Sequence, residues 1–257
     1  MKVFAGKPPW WAILTPAAVM MIGGQGAHAQ SADFQPSPTG GVEIATDERR
    51  RGLSWSDGDA AISADLAVPV AGLIATGRVV STRGSDRHGG ADAVTDLSLG
   101  SERDVGPVIV RLRATGHLFI GATGGMDYYE LGIGGRYTLG PMLFDAGIEY
   151  VPSQRAIGGD NVYLRAGVSA GIPATPFTIS AGIGHSTGGT DEPARAARLR
   201  PTGDYTDWRL GIDHVRGPVT LGIDYVGTDI DRSRAALPFA DRSNSGDRLL
   251  ARARLSF

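Results

Sequence analysis

The sequence predicts an all-β fold, a transmembrane up-and-down antiparallel β-barrel of about 12 strands. Three observations predict it. Residue character alternates with a period of two along most of the chain, the connections are short and long in turn, and each segment has one apolar and one charge-bearing face. The 257 residues are 42% hydrophobic, 20% charged and 7% aromatic, with a net charge of -2 and no cysteine. That apolar content excludes a disordered chain. Without cysteine there is no disulfide framework and no thiolate metal site, and the balanced charge offers no basic stripe for a nucleic acid.

Residues 1–29 read as a signal peptide. Lys2 and Lys7 form a positive n-region, Trp10 to Ile22 is a short apolar stretch interrupted by Pro16, and Ala27-His28-Ala29 is a small-x-small cleavage site. The stretch falls short of the roughly 20 apolar residues that a helical span needs. Residues 30–41 follow as a short periplasmic segment, and 42–257 as the barrel.

Twelve alternating segments lie near 42–54, 59–68, 71–82, 92–102, 107–117, 126–139, 141–151, 161–172, 176–186, 204–215, 218–229 and 247–257. In Pro141 to Tyr150, residues Met142, Phe144, Ala146, Ile148 and Tyr150 share one face, opposite Asp145, Gly147 and Glu149. A helix would scatter these side chains around its circumference. Five connections are short and carry proline: Pro69, Pro107, Pro141, the pair Pro173 and Pro176, and Pro218. Thr82 to Ala91, Thr187 to Gly203 and Ile230 to Gly246 are long and polar, whereas the first connection, Ser54 to Gly58, reads as compact. Short turns at one end and long loops at the other describe a meander.

Which face meets water is decided by aromatic placement and by the chain's last residues. Tyr137, Phe144, Phe177 and Phe257 sit on the apolar face near the short turns, while Tyr129, Tyr150, Trp208 and Tyr225 sit on it toward the long loops. Two such girdles are what a bilayer selects. The apolar face therefore points to lipid and the polar face to a lumen lined by Arg78, Arg111, Arg113, Arg136, Arg165, Arg209, Arg252 and Arg254. Against these stand Asp65, Asp96, Glu130, Asp145, Glu149, Asp207, Asp213 and Asp224. Leu249, Ala251, Ala253 and Leu255 lead to a terminal Phe257, an ending that resembles the signal read by the bacterial barrel-assembly machinery.

The segment Thr46 to Gly58 (TDERRRGLSWSDG) resembles the opening strand of the TorF-type porin family. Asp204 to Gly211 and Val219 to Asp229 are similar to that family's penultimate hairpin, and Phe257 to its terminus. The resemblance implies a proteobacterial outer-membrane barrel of porin type. The chain departs from the family pattern at Glu48 and Arg50, which stand where aromatics are usual. Because Arg costs about 2 to 4 kcal/mol at the bilayer midplane and little at the interface, these two are expected at or above the outer interface.

The implied function is passive diffusion of small polar or ionic solutes through the cell outer membrane, with no cofactor and no bound metal. The competing reading is a non-conducting structural or adhesive barrel acting through its loops. Loops 187–203 and 230–246 are long enough to fold inward, and Arg195, Arg198 and Arg200 suit lipopolysaccharide phosphates. A rim hydrolase would need a catalytic constellation. His185 and Ser186 adjoin Asp191 and Glu192, but no Gly-x-Ser-x-Gly elbow occurs. Asp86, His88 and Asp92 lack a regular cation-ligand spacing, and the Gly-rich 121–125 stretch precedes no helix.

Overall fold

The computed structural model describes residues 37–233, 237–241 and 243–257, so the expected signal peptide and residues 30–36 lie outside the described residues. The strands run β1 (Thr39–Ala45), β2 (Arg49–Arg50), β3 (Leu53–Ser54), β4 (Ala61–Val70), β5 (Leu73–Ser85), β6 (Ala91–Val105) and β7 (Val108–Ile120). They continue with β8 (Tyr128–Leu139), β9 (Met142–Gln154), β10 (Gly159–Gly171), β11 (Phe177–Thr187), β12 (Tyr205–Arg216), β13 (Val219–Thr228) and β14 (Arg248–Ser256). One short helix, α1 (Pro193–Ala196), lies in the loop after β11. All strands except β2 and β3 form a closed antiparallel barrel of 12, sealed where β1 pairs with β14.

The alternation predicted from sequence fixes the two faces. On β9, Phe144, Ile148 and Tyr150 are exposed outward while Asp145 and Glu149 point inward. The same division holds on β7, where Leu112 is exposed and Arg111 and Arg113 turn in. Both aromatic girdles stand on the outer wall, with Tyr137, Phe144, Phe177 and Phe257 at one end and Tyr129, Tyr150 and Tyr225 at the other. In water so continuous an apolar belt would be an aggregation surface. In hydrocarbon it is the matching solvent surface.

Three short turns are Gly-Pro pairs: Gly106-Pro107, Gly140-Pro141 and Gly217-Pro218. Each Gly has positive φ, at 60°, 57° and 56°, as a II′ hairpin requires of its first central residue. Proline at the second position ends the ladder without losing a donor. Pro69 departs from expectation, for it lies inside β4 paired with Ile74, and the turn falls at Ala71-Gly72.

The larger departure is the first predicted strand. The barrel strand begins earlier, at Thr39, and ends at Ala45, and residues 46–60 leave the wall and fold into the barrel as the β2–β3 hairpin. Glu48 and Arg50 are therefore not at the outer interface. Continuing β1 would have carried Glu48 and Arg50 onto the lipid face in register with Val42 and Ile44. Turning inward places them against charged partners instead. The buried core follows the hairpin: Trp55 packs with Val80, Val94, Phe119, Met126, Tyr128, Val151 and Leu199 inside the long-loop end.

The lipid-facing assignment has a direct test. Ile148→Arg, halfway along β9, is expected to cost about 2 to 4 kcal/mol of barrel stability, and Leu139→Arg beside a short turn about 0 to 1. Unfolding titrations in lipid vesicles measure both, and equal small costs would place the belt in water.

Candidate functional site

The candidate site is the lumen around the inserted hairpin. Its tip is Arg51-Gly52, with φ of 52° and 72°, the two positive values of a I′ turn. Glycine is required at the second position, because a Cβ there would lie 2.4 Å from Thr228 Cγ2 and 2.8 Å from Asp207 Cβ. Asp47 organises the base. Its carboxylate accepts hydrogen bonds from Ser54 Oγ at 2.6 Å and Ser56 Oγ at 3.1 Å and pairs with Arg49 at 2.8 Å.

Three consecutive arginines diverge from this hairpin. Arg49 donates to the Gly246 carbonyl at 3.0 Å. Arg50 pairs with Asp96 at 2.7 Å and with Glu48 at 3.2 Å, its guanidinium 4.0 Å above the Trp55 ring. Arg51 reaches deepest. It bridges Glu130 on β8 at 2.6 Å and Glu149 on β9 at 2.9 Å, and lies 4.7 Å over the Tyr163 ring. Tyr205 Oη donates to the Arg51 carbonyl at 2.8 Å, and His117 Nδ1 stands 2.7 Å from Asp96.

All sixteen side chains read from the sequence as lumen residues lie on the inner wall, and most are paired. Arg78 grips Glu48 through two hydrogen bonds, of 2.9 and 3.1 Å. Arg254 holds Asp65 in the same way, at 2.6 and 3.0 Å. Arg165 meets Asp145 at 2.5 Å, and Arg209 meets Asp224 at 2.7 Å. Arg252 bridges Asp213 at 2.5 Å and Asp224 at 3.2 Å. Arg111 pairs closely with Glu102, which Arg136 approaches at 3.8 Å, and Arg113 stands 3.5 Å from Glu149. Asp207 accepts from Tyr163 Oη at 3.0 Å.

Sequence reasoning missed Glu43, Glu48, Glu102, His117 and the Arg49 to Arg51 run as members of this network. It also missed that the inner face changes character toward the long loops, where Phe119, Tyr128, Val151, Tyr163 and Tyr205 replace the charges. The signal was present as apolar residues at inward positions of strand ends, but the alternation was read as uniform along each strand.

The long loops lie over the hairpin. Ser54 N donates to Asp241 Oδ2 at 2.8 Å, and Arg87 donates to the carbonyls of Ser54 at 2.9 Å and Arg198 at 2.6 Å. Arg198 is fully buried, donates to the Met126 and Ala156 carbonyls, and lies over Phe119; burial lowers its pKa to about 10. His88 is 1% exposed between Trp55 and Phe119, at ring separations of 4.6 and 4.8 Å, and among the described residues neither ring nitrogen has a hydrogen-bond partner. Burial, and then the neighbouring cations Arg87, Arg198 and Arg50 and the His117 ring, hold it well below the ordinary 6.5.

His185 and Ser186 lie on opposite faces of β11. His185 Nδ1 is 3.2 Å from Thr206 Oγ1, and buried Ser186 donates to Asn161 Oδ1 at 3.0 Å. Successive strand residues cannot form a catalytic pair across the wall. Asp86, His88 and Asp92 do not converge, and among the described residues no cluster of metal-ligating side chains occurs. A cavity of about 200 Å³ lies beside the hairpin tip, bordered by Arg50, Arg51, Asp96, Glu130, Glu149 and Tyr163. A second, of about 110 Å³, lies toward Glu43, Asp224 and Arg252.

The profile of a family described as a bacterial protein of unknown function (Gcw_chp) matches residues 29–248. Among solved structures, the KdgM porin superposes with a TM-score of 0.55 at 8% identity, covering 85% of this chain and 99% of that one. The COG4313 outer membrane channel from Pseudomonas putida F1 gives 0.51 at 13% identity, covering 90% and 100%. At these identities the likeness is one of fold, that of bacterial outer-membrane barrels. No curated protein matches the chain.

The buried imidazole makes the cap acid-sensitive. The unfolded chain protonates His88 near 6.5 while the folded one does not, so stability is whole above that pH. It falls below it by on the order of 1 kcal/mol per pH unit until the folded pKa is reached. Thermal scans from pH 7.5 to 5 are expected to show a steeper loss for the wild type than for His88→Leu; parallel curves would reject the assignment.

Proposed function

The chain belongs to the Gcw_chp family of bacterial proteins of unknown function, and we propose that this member is a porin-like channel of the outer membrane. Small polar or ionic solutes diffuse through it, and the hairpin at 46–58 holds it shut at the long-loop end. The observation that carries this reading is the inner wall itself, lined from the short turns to the hairpin by cations and anions. A barrel that needed only stability would be served as well by apolar packing, since buried ion pairs seldom exceed it. A charged lining is the surface that suits ions and polar solutes in transit. Twelve strands also enclose more than the eight whose side chains fill their interior.

The hairpin is tied to the wall by ion pairs, hydrogen bonds, ring contacts and the packing of Leu53 and Trp55; beyond the Thr46 amide, which donates to the Ala251 carbonyl, its strand pairing among the described residues is between its own two arms. Its release needs no rearrangement of the barrel ladder. The resemblance of residues 46–58 to an opening strand of TorF-type porins belongs to this proposal, although here the segment is the plug. So do export by the 1–29 leader, assembly through Phe257 and contact with lipopolysaccharide. The non-conducting alternative is favoured by one observation, the packed apolar cap around Trp55.

Planar-bilayer recording separates the two. The wild type is expected to conduct rarely, and a variant with residues 46–60 replaced by Asn-Gly to give discrete steps. Correctly folded barrels silent in both forms would leave the structural reading standing. In the open variant, Arg111→Gln, Arg113→Gln and Arg136→Gln together are expected to move the reversal potential toward cation selectivity.

A further inference from the structure

Arg51 is held the way a receptor holds a ligand. Its guanidinium nitrogen Nη2 is shared between two carboxylates from different strands, Glu130 and Glu149, and the group lies 4.7 Å over the face of Tyr163. Converging carboxylates and an aromatic face are two elements that favour an organic cation. Arg50 is held in a like way, by Asp96 at 2.7 Å and the Trp55 ring at 4.0 Å. Tyr163, Glu130, Glu149 and Asp96 all belong to the wall and stay when the hairpin leaves.

The charge accounting points the same way. Of the wall cations near the tip, Arg209 is engaged by Asp224 and Arg165 by Asp145, while Arg113 and Arg165 each stand 3.5 Å from Glu149. Glu130 has Arg51 at 2.6 Å and, among the described residues, otherwise only His117 Nε2 as an ion-pair partner, at 3.6 Å. Withdrawing the hairpin therefore uncovers anionic groups beside an existing cavity of about 200 Å³. Glu130 then keeps the His117 ring at 3.6 Å and Glu149 its two arginines at 3.5 Å; carboxylates so loosely paired in a confined space are costly, and a cationic solute would relieve them.

We propose that the Glu130, Glu149 and Tyr163 cage is a binding site for guanidinium-bearing solutes, and that Arg51 occupies it as a built-in competitor. This deepens the channel reading and rests on it for its biological use, naming the permeant class as organic cations. Binding is nonetheless measurable without any conductance.

The probe is methylguanidinium, titrated calorimetrically into the full barrel in detergent against sodium chloride of equal ionic strength. Arg51→Ala is expected to bind it saturably, and the wild type about tenfold or more weakly because the site is filled. Glu130→Gln with Glu149→Gln in the Arg51→Ala background should abolish binding. If Arg51→Ala does not fold, the wild type answers through hydrogen exchange: methylguanidinium should accelerate exchange of the 46–58 amides beyond the sodium chloride control. Equal behaviour with methylguanidinium and sodium overturns the assignment even if the opened barrel conducts. Binding by a barrel that never conducts overturns the channel and leaves the cage.

Discussion

Hydrocarbon along the outer wall is the constraint from which the remaining architecture follows. A charged side chain on the lipid face is expensive near the midplane, so outward charges such as Arg83 and Arg103 stand at strand ends, and along the middle of the strands charge is turned to the interior. There it must be paired, because an isolated ion away from bulk water is unstable. The result is a lumen in which Arg254 forks onto Asp65, Arg252 spans Asp213 and Asp224, and Arg111 closes on Glu102. Strand alternation, turn placement and the inward hairpin all serve the same partition.

The hairpin shows how strongly that partition acts. Thr46 to Gly58 carries charges at both odd and even positions, so neither register of an extended strand could keep them from lipid. Leaving the wall after Ala45 solves the problem at the expense of two side chains with positive φ, Arg51 and Asp57, each worth about 1 to 2 kcal/mol. The double ion pair of Arg51 and the contacts of Arg50 compensate. They also turn a would-be strand into an occlusion, so a structural necessity and a functional device share the same residues.

The long-loop end adds a second kind of chemistry. Above the ionic belt, Trp55, Phe119, Tyr128 and Leu199 build an apolar core of the sort found inside water-soluble proteins. Within it sit Arg87 and Arg198, cations that donate to backbone carbonyls, with Arg198 also over a ring face, and the neutral imidazole of His88 between Trp55 and Phe119. Such a cap is stable at neutral pH and sensitive to added positive charge. Its stability is therefore separable from that of the barrel wall, which rests on strand pairing and lipid contact.

The sequence by itself determined the barrel: twelve strands, their faces, the girdles and the sixteen inward charges. Each rests on local alternation and turn chemistry, which a period of two displays directly. It did not determine the plug, the apolar mouth or who pairs with whom. Arg51 meets partners 79 and 98 positions away in the chain, and Trp55 meets His88, Phe119 and Leu199 only because the closed wall brings three loops over one opening. Parity along a strand is written in neighbouring residues, whereas occupancy of an enclosed volume is settled by everything that borders it.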